Sequence, residues 1–292
     1  MCSVMPPVTI DTPAKINLVL DVLGRREDGF HEIRSLMMSV GLCDRLVFEA
    51  APAGVITLEC EAARVPTDGG NLVMQAAHQL RERAARAAGC RVRLHKRIPV
   101  GGGMGGGSSD AAATLKVLND LWGTGLSVAE LSEIGGTIGS DVPFFFSPSG
   151  AIVSGRGERV RPVRLKWAGW VALVMTDVHV STQEVYFRCT PKCPESHQAA
   201  VAELVEATTA DALRPHLRNG LEDAVFALAP AVKCLSEELA ELGAETMRVS
   251  GAGAVLFDLF DEEAQAQEFI KRARSCPHAK DAIAVAAPAP RE

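Results

Sequence analysis

Residues 99–110 read PVGGGMGGGSSD, with glycine at six of the seven positions from 101 to 107. Glycine weakens a helix or strand that it interrupts and opens backbone conformations closed to other residues, so this tract marks a loop of unusual shape. Its flanks are regular. RVRLHKRI over 91–98 alternates charged and apolar side chains as a half-buried strand does. After the tract Leu115, Leu118 and Leu121 recur at helical spacing, which predicts a helix over 108–122 with Ser or Asp as its cap. The glycines therefore join a strand to a helix start. Unpaired N–H groups and partial positive charge collect there, and glycines let a phosphate reach them unobstructed. A flexible linker is the competing reading, but the tract is short, lies between two regular elements and has no wider Gly/Ser bias around it.

Several phosphate-binding loops are excluded by residue type. The second glycine of any GxxxxGK[ST] frame is followed here by Gly or Ser, never Lys. Gly101, Gly103 and Gly106 satisfy GxGxxG, as any dense glycine tract would, and Asp120 at dinucleotide-loop spacing falls in the predicted helix rather than at the end of a strand. No HRD or DFG occurs, which removes the eukaryotic-type protein kinases.

At 292 residues and 47% hydrophobic the chain is long enough for one large or two medium domains. A net charge of −6 gives no basic footprint for nucleic acid and favours a small-molecule partner. The N-terminus lacks a secretory pattern and no apolar stretch is long enough to span a bilayer. The eight cysteines, at 2, 43, 60, 90, 189, 193, 234 and 276, form no CxxC pair and read as reduced thiols, so a cytoplasmic location is expected.

Along the chain, pattern predicts strands at 8–11, 16–23, 45–50, 55–60 and 91–98. Helices are expected at 71–88 (closed by Gly89), 108–122 and 127–138, the last with a Ser127/Glu130 capping box. Strands at 143–146, 150–154 and 170–176, two helical stretches over 195–240, and strand 245–249, strand 254–260, helix 261–274 and strand 281–286 complete the expectation. Segregated strands and helices argue α+β. The basic segment RVRPVRLKW suggests a boundary at 160–168, placed at 164/165, which divides the chain into 1–164 and 165–292.

Four further clusters stand out. In TPAKINLVL (12–20), Lys15 interrupts an apolar strand beside Asn17, which is costly unless an anion or carboxylate meets the ammonium; a solvent-facing lysine on an edge strand is the simpler reading of these residues alone. GRREDGFHEIRSL (24–36) is polar and turn-rich, with Phe30 and His31 at its tip. IGSDVPFFF (138–146) sets Asp141 in a Gly-Ser turn before an aromatic strand. VSGAGAVLF (249–257) is a second glycine loop, which a tight hairpin would explain equally well.

In this order and at these separations, PAKINL, PVGGGMGGGSSDAA, GSDVPFF and SGAG resemble the GHMP kinase superfamily over nearly the whole chain. The DGFHEIRS loop narrows the resemblance to members acting on a cytidine diphosphate-linked methylerythritol. The resemblance implies a two-domain α+β fold with the active site in a cleft between domains, ATP and Mg2+ as cofactors, and transfer of the γ-phosphate to the substrate's 2-hydroxyl. It assigns Asp141 as catalytic aspartate and Lys15 as catalytic lysine. Pro99, Val100, Gly101, Gly102, Gly103, Met104, Gly105, Gly106, Gly107, Ser108 and Ser109 match the ATP-phosphate loop. By the same resemblance Asn71 and Lys96 lie near the nucleotide, Asn17 meets the substrate, and Phe30, His31 and Tyr186 flank the cytosine, with Phe187 competing for the place of Tyr186. The two serines either bind phosphate or join the metal shell; no side chain is assigned as a metal ligand. A monomer or weak homodimer is expected.

Two departures from the family pattern concern Met104, where Leu or Ile is usual, and Ala254–Val255, where Pro and Thr or Cys often stand; the latter puts a hydroxyl role there in doubt. A homoserine or mevalonate-type kinase and a non-catalytic nucleotide-binding homologue are the alternatives.

Overall fold

The computed structural model describes residues 6–84, 89–147, 149–192, 197–244 and 246–287. In chain order the elements are β1 (Val8–Arg25), β2 (His31–Ala50), β3 (Ile56–Cys60), α1 (Leu72–Arg81), β4 (Cys90–His95), α2 (Gly106–Trp122), α3 (Val128–Ile138), β5 (Gly150–Gly155), β6 (Arg159–Val163) and β7 (Trp170–Met175). There follow α4 (Thr182–Arg188), α5 (His197–Glu206), α6 (Ala210–Leu213), β8 (Arg218–Asn219), α7 (Glu222–Leu228), α8 (Pro230–Glu241), β9 (Arg248–Val249), β10 (Val255–Phe260), α9 (Glu263–Ala273) and β11 (Asp281–Ala286). The fold class is α+β.

Two compact units divide the chain discontinuously. The first comprises residues up to Ala14, Leu42–Val100 and Gly105–Phe146; the second comprises Lys15–Gly41, Gly101–Met104 and Ser147 onward. Strands β1 and β2 pass from one unit into the other. In the first unit the end of β2 pairs antiparallel with β4, Arg45 opposite His95, and β3 pairs parallel with β4. Alternation sets which face of β4 is covered: Val92 and Leu94 are buried while Arg91, Arg93 and His95 are exposed. In the second unit β2 pairs with β5, β5 with β6, and β1 runs parallel to the two-residue β8. A separate antiparallel sheet has the order β11-β7-β10-β9. Leu20, Val22, Val174, Val185, Leu235, Leu239, Leu256 and Ile270 are among the side chains of this unit's core.

Several expectations change. The two N-terminal strands are one: β1 runs unbroken from Val8 to Arg25, through Pro13 and Lys15. Only residues 26–30 of the polar 24–36 segment form a turn, closed by Arg26 N–H donating to Phe30 O (2.8 Å), and β2 begins at His31. The aromatic stretch is a 3-10 helix, Val142–Phe146, since Pro143 has no N–H for a ladder and suits a first helical turn. The expected boundary segment begins as strand β6, and the 195–240 helical region breaks into α5 to α8 around β8. Helix α4 was not foreseen. Helix α1 ends on Glu82 rather than on Gly89; Gly89 precedes β4, where a Cβ would overlap the Pro52 carbonyl and stand 2.7 Å from that of Val55. The capping box at Ser127 and Glu130 is present, with Ser127 N–H donating to Glu130 Oε2 at 2.8 Å. Cys2, Cys193, residues 85–88 of the first expected helix, residues 195–196, residue 245 and residues 288–292 lie outside the described residues.

Candidate active site

The unit boundary falls inside the glycine tract, between Met104 and Gly105. On the first-unit side, α2 begins at Gly106, two residues before the expected serine. Its N-cap is Gly105 in the left-handed conformation (φ +68°), and no side chain caps it. A helix start leaves backbone N–H groups without intrahelical partners, and here glycines surround them. Ser108, in the first turn, is half-buried; Ser109 is buried.

Beneath this helix start lies a buried charge cluster. Lys96 Nζ forms an ion pair with Asp44 Oδ2 and lies 3.2 Å from Asp110 Oδ2. Thr12 Oγ1 donates to Asp110 Oδ1 at 2.6 Å, and Asp44 Oδ1 accepts the Arg97 and Ile98 N–H groups at 2.6 and 2.8 Å. The cluster thus ties the chain entering the tract to the helix leaving it. Burial would lower the Lys96 pKa, but the Asp110 and Asp44 carboxylates outweigh it and hold the ammonium charged. Asp110 is pushed up to about 6, first by burial and then by Asp44, against the pull of Lys96 and Thr12.

That shift has a measurable consequence. An aspartate of ordinary pKa 3.8 raised to about 6 on folding favours the fold most when protonated. Its contribution is full below 3.8 and lost as pH rises through 6, a span worth roughly 3 kcal/mol. Urea unfolding between pH 4 and 7 is expected to show wild-type stability falling relative to Asp110→Asn by about that amount. Parallel profiles would refute it.

Asn71 caps α1: its Oδ1 accepts Val73 N–H at 2.9 Å and its Nδ2 donates to Pro66 O at 2.7 Å. Asp141 is half-buried at the turn into the 3-10 helix, where Val142 N–H donates to Gly139 O at 3.1 Å.

In the second unit Lys15 is 3% exposed, and its Nζ donates to Asn17 Oδ1 at 2.7 Å. Asn17 Nδ2 donates to Ser35 Oγ (2.8 Å), which donates to Val19 O (2.6 Å). The Lys15 N–H donates to Met104 O at 2.9 Å, so β1 grips the glycine tract through its backbone. The SGAG loop between β9 and β10 meets the same tract. A Cβ on Gly253 would overlap the Gly102 carbonyl carbon, and one on Gly251 would stand 3.2 Å from Lys15 Nζ. Ser250 Oγ donates to Gly103 O at 3.2 Å. Lys15, Asn17, Gly101–Met104 and the second loop therefore form one cluster. Met104 itself is fully buried, and a medium-sized apolar side chain suffices there.

A second cluster in this unit joins the start of β2 to α4. The His31 and Tyr186 rings lie 5.3 Å apart, while Phe187 is 78% exposed, so Tyr186 rather than Phe187 partners His31. Burial, then Arg25, lowers the His31 pKa and keeps the ring neutral, leaving one ring nitrogen as donor and one as acceptor.

Residues 71–148 match the GHMP kinases N terminal domain and residues 200–279 the GHMP kinases C terminal. A 4-diphosphocytidyl-2-C-methyl-D-erythritol kinase of Shouchella clausii is 40% identical over 260 residues, 88% of this chain and 87% of that protein. The chain belongs to the GHMP kinase family. Another relative of the same name, from Exiguobacterium sibiricum, is 38% identical and covers 89% of this GHMP kinase. The crystal structure of a 4-(cytidine 5'-diphospho)-2C-methyl-D-erythritol kinase superposes with a TM-score of 0.80 at 33% identity, over 96% of this chain and 98% of that one. Homoserine kinase from Cytophaga hutchinsonii shares the fold at 17% identity, TM-score 0.76, covering 100% and 98%. No helix among the described residues of this GHMP kinase is long and apolar enough to cross a membrane.

Sequence reasoning missed supporting residues that act across long chain separations. Asp44 is one. Asn219 is another: its Nδ2 donates to Val249 O and Gly251 O at 2.8 and 2.7 Å and so fixes the SGAG loop. Neither lies in a recognisable motif. His179 is a third, its ring standing where a Cβ on Gly101 would go.

Proposed function

We propose that this chain transfers the γ-phosphate of ATP to the 2-hydroxyl of 4-diphosphocytidyl-2-C-methyl-D-erythritol. The 40% identity over 88% of the chain to a kinase named for that substrate carries the reading. Homoserine and mevalonate kinases share only the fold, at 17% and 13% identity, and the joint presence of Lys15 and Asp141 argues against a non-catalytic homologue.

The residues fit a bound polyphosphate. In the first unit α2 starts on Gly105 at positive φ with no side-chain cap, and Lys96 Nζ stands 3.0 Å from where a Cβ on Gly106 would be, so unpaired N–H groups and a cation meet at one helix start. In this reading residues 99–109 cradle the phosphates. Among the described residues no group of three or more His, Cys, Asp or Glu could hold a metal; a magnesium ion would then be held mainly by nucleotide oxygens with the Ser108 hydroxyl beside them, a donor set that suits it. When bound, it neutralises charge on the transferring phosphoryl group. Asn71 and Lys96 border the nucleotide by fixing the starts of α1 and α2.

Asp141 orients the acceptor hydroxyl and takes its proton as the oxygen attacks phosphorus. Lys15, aimed by Asn17, offsets negative charge at the reacting centre. Phe30, His31 and Tyr186 hold the cytosine by stacking and by hydrogen bonds to its edge. As sequence domains we divide the chain at 164/165, the first carrying residues 99–109, Lys15 and Asp141 and an α/β domain following; this division differs from the two discontinuous compact units, which assign Lys15 and Asp141 to different units. A cytoplasmic monomer or weak homodimer completes the reading, and the net charge of −6 supports the absence of nucleic-acid partners.

A coupled ADP-release assay with Mg-ATP tests it. Turnover is expected with the cytidylylated methylerythritol and not with homoserine or mevalonate. Folded, ATP-binding protein inert toward the cytidylylated substrate would overturn the assignment.

A further inference from the structure

Phe30 is 47% exposed, unusual for an aromatic ring in a tightly bonded turn. The turn is cross-linked by side-chain hydrogen bonds. Arg26 Nε donates to both oxygens of Asp28 (3.2 and 3.1 Å), its Nη1 donates to Glu32 at 2.8 Å, and Asp28 Oδ1 accepts the Phe30 N–H at 3.1 Å. Glu32 also accepts the Gly155 N–H at 3.1 Å, which binds the turn to the β5–β6 hairpin. At the tip of that hairpin, between Gly155 (φ +73°) and Gly157 (φ +123°), Arg156 is anchored by its N–H donating to Glu158 Oε2 at 2.7 Å. Its guanidinium carbon stands 4.8 Å from the centre of the Phe30 ring.

One face of Phe30 is thus covered by a cation and the ring still exposes nearly half its surface. We infer that Arg156 is a positioning residue for substrate recognition: it stacks on one face of Phe30 and fixes the ring so that the other face receives the pyrimidine. This rests on the assignment of Phe30 to the cytosine in the proposed function. A planar cation over a ring restrains rotation about χ1 and χ2, so the substrate does not have to order the ring on binding. Lysine, without a planar group, restrains it less well.

Steady-state kinetics of Arg156→Ala, Arg156→Lys and Phe30→Leu, with melting temperatures, test the inference. Arg156→Ala is expected to raise KM for the cytidylylated substrate roughly three- to tenfold, leaving kcat and the KM for ATP within about twofold and the melting temperature nearly unchanged. Arg156→Lys should fall between, and Arg156→Ala should add little to Phe30→Leu because both act through one ring. An unchanged substrate KM in Arg156→Ala, while Phe30→Leu raises it, would overturn the role of Arg156 and leave the Phe30 assignment standing. If Phe30→Leu is also silent, the Phe30 assignment fails and the inference with it. A loss shared equally by kcat, both KM values and the melting temperature would mark Arg156 as structural only and likewise overturn it.

Discussion

Asp141→Asn is expected to lower kcat by about 10²–10⁴ while ATP still binds, because an amide accepts no proton from the attacking hydroxyl. The substitution keeps size and shape at a half-buried turn, so the fold survives and the loss falls on the chemical step. Single-turnover measurement with saturating ATP separates that step from product release. A variant within about tenfold of wild type would remove Asp141 from the role of base.

Gly103→Ala and Gly253→Ala carry the other large effect. Gly103 has φ +72°, and its Cβ would overlap the Ser250 carbonyl oxygen and lie 2.6 Å from Gly253 N; that of Gly253 would overlap Gly102. Neither clash can be relieved by rotating a side chain, since every atom involved is backbone. Each variant is expected to lose a few kcal/mol of stability and at least about 100-fold in kcat/KM for ATP, since a shift of one ångström in a binding loop is enough for that. Gly123→Ala is the control. It too has positive φ (+62°), but nothing lies within 4 Å of its Cβ, so only backbone strain of about 1 kcal/mol is expected, with activity retained. A loss in Gly123→Ala as large as that in Gly103→Ala, with Gly253→Ala close to wild type, would show that the strain of positive φ at Gly103 and Gly123, rather than the meeting of the two loops, governs the effect.

What was legible in the sequence was whatever local chemistry determines. Leu115 and Leu118 announced α2, and Ser127 with Glu130 announced the start of α3. The glycines announced a loop but hid where it ends: helix propensity disfavours Gly106 and Gly107, yet both lie in α2, whose start is fixed by the tertiary setting of the tract. The FFF run suggested a strand by β propensity, and Pro143 overrode it. Polarity suggested a loop at 31–36, where the ladder with β5 instead holds a strand, Ile33 opposite Gly155 to Met38 opposite Gly150. Lys15 stood out by the cost of an ammonium in an apolar strand and Asp141 by its Gly-Ser turn, but the roles of Lys15, Asn17 and Asp141 came through motif resemblance. Asp44 and Asn219 did not stand out at all, because the partners that give them meaning are 53 and 30 residues away.

The meeting of residues 102–103 with 250–253 also bears on how such a chain can change over time. Apart from the Ser250 hydroxyl on Gly103 O, the glycines there meet backbone alone, which leaves almost no side chain to lengthen, shorten or recharge, so a substitution of Gly103 or Gly253 is a loss. Heritable variation in what this catalyst accepts must therefore be written elsewhere, in groups that can be exchanged one at a time. Phe30, His31, Arg156 and Tyr186 are such groups, on a turn, a hairpin tip and a helix outside the glycine loops. The molecule thus separates a part that is nearly frozen from a part that is free to be rewritten.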